Sequence, residues 1–290
     1  EGQMLSMLAE RGVAVPKVID FDLVPGAANA PSVSYVVMEA VTAENGKPAP
    51  TGDKFLEDHP NKVKELARKM AEELVAIHRI PSDLPFGGFE DIPDSNADNV
   101  TEYFAGKIDD AADLLGSIGV TPDEIVTLKE KFKTIEFPEK GVMVHGDFLP
   151  VNVLVQSDNP LTIKIIDPMP SINDPYWDIA RNLNQYEFME AWIKEEHHDD
   201  EEGFSEAIKT ERDFNDAFIE KYEADTCQLD RKRLHANQII FALGHIQRSQ
   251  ARLTQTGEVA NGATSRQERV VAILKRQLKQ RIVNLLDEAA

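Results

Sequence analysis

Apolar positions along this chain follow two rhythms, helical over most of its length and strand-like in a few short stretches. Near the start, Met4, Leu5 and Leu8 fall at helical spacing and Gly12 supplies a helix stop. Val33 to Glu39 reads as a strand. Residues 42–54, rich in Gly, Pro, Thr and Ala, read as a linker. From Pro60, the spacing of Val63, Leu66, Met70, Leu74 and Ile77 predicts a helix with one buried stripe, and His78 at its end reads as a packed, hydrogen-bonded histidine. Thr121-Pro122-Asp123-Glu124 combines an N-cap, a proline at the first helical position and a glutamate at the third, the signature of a helix start.

The rhythm then changes. Val151 to Val155 is a short apolar strand, Ser157-Asp158-Asn159-Pro160 is turn chemistry, and Leu161 to Ile166 alternates before turning fully apolar. That predicts a hairpin with Asn152 opening one arm and Asp167 ending the other. Helical spacing resumes after Asp174-Pro175, with Ile179, Leu183 and Tyr186 predicted to face inward. It continues through Phe214, Phe218 and Tyr222, then Ile239, Ile240, Leu243 and Ile246, and finally Val270, Ile273, Leu274, Leu278, Ile282 and Leu285. The pattern is that of a largely helical body built behind one hairpin.

The loops flanking the hairpin carry the chemistry. His145-Gly146-Asp147-Phe148-Leu149-Pro150-Val151-Asn152 precedes it and Ile165-Ile166-Asp167 closes it. A lone Asp at a strand end most often caps a turn. Here H-x-D-x-x-x-x-N is followed by an apolar strand ending in Asp, which is how a kinase-type phosphoryl-transfer site is assembled. Such transfer needs an acceptor hydroxyl aligned with the γ-phosphorus of ATP and neutralised phosphate oxygens. Asp147 would accept or orient the hydroxyl proton. Asn152 and Asp167 would offer oxygen ligands to Mg²⁺, a hard cation that takes few protein ligands.

These residues, with Ile166-Asp167-Pro168 and Asp174-Pro175-Tyr176-Trp177-Asp178-Ile179-Ala180, resemble the aminoglycoside phosphotransferase family. That group of small-molecule kinases also includes choline, fructosamine, homoserine and methylthioribose kinases. The resemblance implies an α+β, protein-kinase-like two-lobed fold with a mainly helical large lobe and a catalytic-loop hairpin. It implies Asp147 as catalytic base, Asn152 and Asp167 as Mg²⁺ ligands, and His145 and Asp178 as supports of the catalytic loop. Gly146 stands where protein kinases carry Arg, which points to small-molecule acceptors. The family usually reads Gly-Asp-Pro where this chain has Asn173-Asp174-Pro175. Asn tolerates positive φ, so the turn is expected to survive. The Ile-Asp-Pro-x-Pro run looks closest to streptomycin-type kinases.

The resemblance extends to the start. Glu1 to Leu8 and Gly12 to Val18 look like the family's helix C and the strand after it, with Glu1 matching the acid that pairs with the ATP-binding Lys. Val33 to Glu39 looks like the last small-lobe strand and hinge, with Met38 near the back of the adenine pocket and the backbone from Glu39 to Val41 bonding the base. No Gly-rich loop or Lys-bearing strand precedes Glu1. Residues 1–41 are therefore expected to be a remnant of a truncated N-terminal lobe (helix C, last strands, hinge), and 42–290 the C-terminal lobe with the catalytic and metal-binding loops. The implied reaction moves the γ-phosphoryl of ATP, or GTP, to a hydroxyl of an aminoglycoside, aminosugar or similar metabolite. Choline, amino-alcohol or sugar kinases of the same fold, and a catalytically silent nucleotide-binding protein, are the alternatives.

Composition adjusts this only at the edges. The 290 residues suit two lobes with a large core, and 42% hydrophobic with 28% charged residues is ordinary for a globular chain. With 31 basic and 51 acidic residues the net charge is −20, which argues against nucleic acid and anionic membranes. It is compatible with a cationic acceptor and equally with plain solubility. Cys227 is the only cysteine, so no disulfide forms within the chain and a reducing, cytoplasmic compartment fits. No apolar run has transmembrane length and no signal peptide is visible. The run Glu195 to Glu202, with His197 and His198 inside it, reads as a solvated acidic loop rather than a metal site, because nothing fixes its ligands. His235 and His245 lie on apolar helix faces and read as packing residues. The acceptor and the oligomeric state stay open.

Overall fold

The helical stripes of the sequence become buried faces: Met4, Leu5 and Leu8 near the start and Val63, Leu66, Met70, Leu74 and Ile77 further on are all buried. The computed structural model describes residues 1–24, 33–80, 82, 86–88, 97, 99–196, 200–255 and 261–287. In chain order these form α1 (Gly2–Glu10), β1 (Val18–Val24), β2 (Val33–Met38), α2 (Gly52–Asp58), a 3-10 turn (Pro60–Lys62), α3 (Val63–His78), β3 (Gly87–Gly88), α4 (Val100–Asp110), α5 (Ala112–Ser117), α6 (Pro122–Lys133) and β4 (Val142–Val144). A second 3-10 turn (Pro150–Asn152) leads into the hairpin β5 (Val153–Asp158) and β6 (Leu161–Ile165). Then come β7 (Ser171–Asn173), α7 (Tyr176–Glu196), α8 (Glu201–Asp225), α9 (Arg231–Gln255) and α10 (Asn261–Asp287). Among the described residues no helix is long and apolar enough to cross a membrane.

The chain weaves between two compact units. The first gathers Glu1–Pro81, Met143–Ser171 and Thr210–Gln228. Its strands β1 and β2 pair antiparallel, with Val18 opposite Met38 and Val24 opposite Val33. β5 and β6 form the expected hairpin, with Val153 opposite Ile165 and Asp158 opposite Leu161. The strand begins two residues later than the apolar run suggested, because Val151 and Asn152 close the 3-10 turn. Behind the hairpin, α3 and the second half of α8 run side by side. Lys64 and Asp213 are 3.1 Å apart and Lys221 and Glu72 are 3.2 Å apart. His78 is buried and shares a 2.9 Å hydrogen bond with the Tyr222 hydroxyl.

The linker expected over 42–54 is not slack. The Glu44 N–H donates to the Gln156 carbonyl at 3.1 Å and the Val155 N–H to the Pro50 carbonyl at 2.9 Å. Thr51 bridges Leu154, and α2 begins at Gly52. Gly and Pro mark where a chain turns, but they do not forbid the residues between them from lending backbone groups to a strand edge. Gly52 is needed for this fit, because a Cβ there would stand 2.8 Å from the Pro150 carbonyl oxygen.

The second unit gathers Ser82–Val142, Ile172–Lys209 and Leu229–Ala290. Its core joins Phe104 and Ile108 of α4, Leu128 and Phe132 of α6, Ile239, Ile240, Leu243 and Ile246 of α9, and Leu274, Leu278, Ile282 and Leu285 of α10. The capping box opens α6 as expected: Thr121 accepts from the Glu124 N–H, and the Glu124 carboxylate takes the Thr121 N–H at 2.7 Å. Those bonds hold the Glu124 carboxyl below its ordinary value. On α7 the inward stripe is less apolar than expected. Ile179 is buried, but Leu183 and Tyr186 are half-buried, and Asn182 and Asn184 take buried places instead. The Asn184 amide donates to the Gln238 carbonyl on α9 at 3.0 Å, a polar contact that hydrophobic spacing does not reveal. Of the acidic run, Glu195 and Glu196 end α7, Glu201 and Glu202 begin α8, and His197, His198 and Asp199 lie outside the described residues. Glu195 is ion-paired with Arg269 and Arg276, which holds its carboxyl low.

Candidate active site

The loop after β4 is built by its own hydrogen bonds. Asp147 is half-buried and Asn152 is buried, 7% exposed. The Leu149 N–H donates to the Asp147 carbonyl at 3.0 Å and the Asn152 N–H to the Leu149 carbonyl at 2.9 Å, which winds the 3-10 turn. The Asn152 side-chain amide then donates to the Asp147 carbonyl at 2.8 Å and to its carboxylate Oδ2 at 2.9 Å. Both partners are acceptors, so Nδ2 must face Asp147 and Oδ1 is the atom turned away.

His145 ties this loop to the one carrying Asp167. It is fully buried. The Asp147 N–H donates to His145 Nδ1 at 3.3 Å, and Nε2 lies 3.1 Å from the Ile166 carbonyl. A ring nitrogen that accepts carries no proton, so the proton sits on Nε2 and is donated to Ile166. Two backbone bonds complete the join, from the Ile166 N–H to the Asn152 carbonyl at 3.0 Å and from the Met169 N–H to the His145 carbonyl at 2.8 Å. Between them sits Asp167, exposed and at φ 55°, a left-handed conformation that Asp adopts more readily than bulkier residues. Gly146 has φ 83°, and a Cβ on it would lie 2.0 Å from the Met169 carbonyl oxygen. No side chain fits there, whatever its chemistry.

The other candidate residues divide by unit. Met38 ends β2 opposite Val18. The Glu39 N–H donates to the Lys17 carbonyl at 2.9 Å, while its carboxylate takes the Lys17 N–H at 3.0 Å. The Val41 carbonyl accepts from the Ala49 N–H at 3.0 Å. Glu1 is exposed just before α1, and its carbonyl accepts from Leu5 at 3.0 Å without a side-chain cap. These four lie in the first unit with His145, Asp147, Asn152 and Asp167. Asp178 lies in the second, fully buried in the first turn of α7.

Sequence reasoning missed two features. Asn173 is not in a left-handed turn but in β7, where its Oδ1 accepts the Asp174 N–H at 2.9 Å. Asp174 is fully buried and takes a two-pronged ion pair from Arg233, at 2.6 Å from Nε and 3.0 Å from Nη2. It also accepts the Tyr176 N–H at 2.7 Å, and the Arg233 guanidinium lies 4.1 Å from the Tyr176 ring centroid. Asp174-Pro175 announces a helix start, but no local signal announces an arginine so far along the chain. Glu211 is the second feature, a half-buried carboxyl on α8 whose burial pushes its pKa up.

A H-x-D-x-x-x-x-N loop cross-bonded to an Asp loop, in a mainly helical α+β chain, defines a kinase of protein-kinase-like fold. Comparison with known proteins gives the same class. The family model described as phosphotransferase enzyme family (APH) matches residues 1–207, and the chain belongs to that family. It is a small-molecule phosphotransferase. A comparison with curated protein sequences finds no match. Among solved structures, a protein described as a fructosamine-3-kinase from Haemophilus somnus 129PT has a TM-score of 0.53 at 16% identity, covering 97% of this chain and 78% of its own. A Plasmodium vivax ethanolamine kinase has a TM-score of 0.51 at 12% identity, covering 96% of this chain and 73% of its own. An aminoglycoside phosphotransferase from Alicyclobacillus acidocaldarius has a TM-score of 0.50 at 15% identity, covering 98% and 80%. At these identities the likeness is one of fold.

Proposed function

We propose that this chain transfers the γ-phosphoryl group of ATP to a hydroxyl of a small, amine-bearing molecule such as an aminoglycoside, an aminosugar or a similar metabolite. The observation that carries the reading is the pairing of Asn152 with Asp147 on a loop hydrogen-bonded to the Asp167 loop. Asp147 orients the acceptor hydroxyl. As the hydroxyl oxygen bonds to the γ-phosphorus, the bond from that phosphorus to the β,γ-bridging oxygen breaks. ADP leaves, and the hydroxyl proton passes to the Asp147 carboxylate and then to solvent.

Asn152 Oδ1, the atom turned away from Asp147, and the exposed Asp167 carboxylate are hard oxygen donors that fit Mg²⁺, which they would hold together with the phosphates. When bound, the ion neutralises charge on the phosphate oxygens. The nucleotide base is assigned to the end of β2. The Glu39 N–H and the Val41 carbonyl are already bonded within the chain, so the base edge would meet the Glu39 carbonyl and the Val41 N–H, with Met38 behind it. Residues 38–41 thus serve the base, Glu1 is assigned to pairing with the ATP-binding Lys, and the metal and acceptor contacts fall to 42–290. His145 is a positioning residue in this scheme, and Asp178 is assigned the same kind of role. The net charge of −20 is compatible with an acceptor that is cationic.

The test is Mg²⁺-dependent ATP consumption by the purified chain against kanamycin, glucosamine, choline and ethanolamine, with Asp147→Asn as control. Acceptor-stimulated turnover that the control loses is the expected result. Turnover by Asp147→Asn within a few-fold of the parent would refute the assignment of the base.

A further inference from the structure

Two apolar side chains are exposed, one on the loop that carries Asp147 and one on the Asp167 loop hydrogen-bonded to it. Val151 is 47% exposed and Met169 is 58% exposed. Scattered exposed apolar residues need no explanation. These two differ because the backbone of each is part of, or hydrogen-bonded to, the loop that holds Asp147. Val151 is the middle residue of the 3-10 turn, beside the Asn152 that bonds Asp147. Met169 donates its N–H to the His145 carbonyl at 2.8 Å and lies between Pro168 and Pro170, each with a locked φ. Its carbonyl oxygen and Cβ occupy the space that a Cβ on Gly146, the residue immediately before Asp147, would need. Among the described residues, the other large exposed apolar residues of this unit, Ile19, Phe21 and Val37, lie on β1 and β2.

We propose that Val151 and Met169 form an apolar rim of the acceptor site and decide which acceptors place a hydroxyl at Asp147. This rests on the kinase reading above and deepens it. A hydroxyl within hydrogen-bond reach of Asp147 brings the carbon skeleton that bears it close to both side chains. Charge alone attracts a polycation without orienting it, whereas fixed apolar surface takes only a matching C–H face, such as one side of a sugar ring or an N-alkyl group. Val151 is stiff about χ1 and sets one edge of the rim. Met169 has an adaptable thioether and lets the other edge fit acceptors of different shape.

The full chain is labelled with ¹³C-methyl methionine, and the Met169 signal is assigned by its loss in Met169→Gln. The MgADP complex is titrated with kanamycin, glucosamine and choline, and kinetics are measured on whichever of them turns over. The expected result is a saturable shift of the Met169 methyl with the acceptor that turns over. Met169→Gln and Val151→Ser should each raise its KM about five- to tenfold, with KM for ATP unchanged. A Met169 signal indifferent to an acceptor that is turned over, or an acceptor KM unmoved by both substitutions, overturns the proposal. A saturable shift without turnover of any compound supports the rim and counts against phosphoryl transfer to these acceptors. Absence of both overturns the rim and the proposed amine-bearing acceptor class together.

Discussion

Asn152 turns its side-chain amide back on Asp147 and holds that residue twice, by the backbone carbonyl at 2.8 Å and by the carboxylate at 2.9 Å. One side chain therefore aims the proposed base and presents an oxygen on its other side. Asn152→Asp keeps the shape and replaces both donors with a second carboxylate against the first. We predict a loss of turnover of about a hundredfold or more, because like charges at that distance cannot both stay ionised at low cost. Steady-state kinetics over a Mg²⁺ series would check this, and a variant within threefold of the parent would contradict it.

Gly146 is required for space as well as for φ. Gly146→Ala sets a methyl group against the Met169 carbonyl and strains a left-handed backbone, so the two loops must separate. The expected cost is at least about 2 kcal/mol, read as a lower thermal midpoint, together with loss of turnover. An alanine variant that melts with the parent would show that the junction yields without cost.

Glu211 gives a pH dependence with a definite sign. Burial raises its folded-state pKa above the unfolded value, so the native state binds more protons over the interval between them. The neutral form fits the fold, and stability falls as pH rises from the unfolded pKa through the folded one. Glu211→Gln should therefore stabilise the chain at neutral pH and change little at pH values below the ordinary carboxylate range. Denaturant titrations at two pH values measure the difference, and an equal effect at both would rule out titration as its cause.

Arg233 forms an ion pair with the fully buried carboxylate of Asp174. Arg233→Ala leaves Asp174 uncompensated, at an expected cost of about 3–5 kcal/mol. Arg233→Lys should recover part of this, since a point charge replaces the attraction but not both prongs. Thermal melts of the two variants would separate the contributions.

Much of this was legible because it was local. The hairpin, the capping box at Thr121 and the stripe of α3 each rest on neighbours within a few residues, where spacing carries the signal. The H-x-D-x-x-x-x-N loop was legible for the same reason. What stayed hidden depends on partners distant in sequence or on backbone shape. The Arg233–Asp174 pair, the tautomer of His145 and the Asn184 contact with α9 leave no mark on local periodicity. Asn173 misled because its side chain suggested a left-handed turn, whereas its neighbours place it in a strand. Residues 42–54 misled because a composition rich in Gly and Pro describes the turns and is silent about the bonds between them.

That stretch has a consequence for how the molecule breathes. Its amides and those of β5 are each other's partners, through Glu44 to Gln156 and Val155 to Pro50. A segment with the composition of a surface loop should therefore exchange its hydrogens on the schedule of the sheet. We predict that Glu44 and Val155 open together as one cooperative unit. In a native-state exchange experiment their protection should rise and fall together, and independent exchange at Glu44 would show the seam to be open in solution.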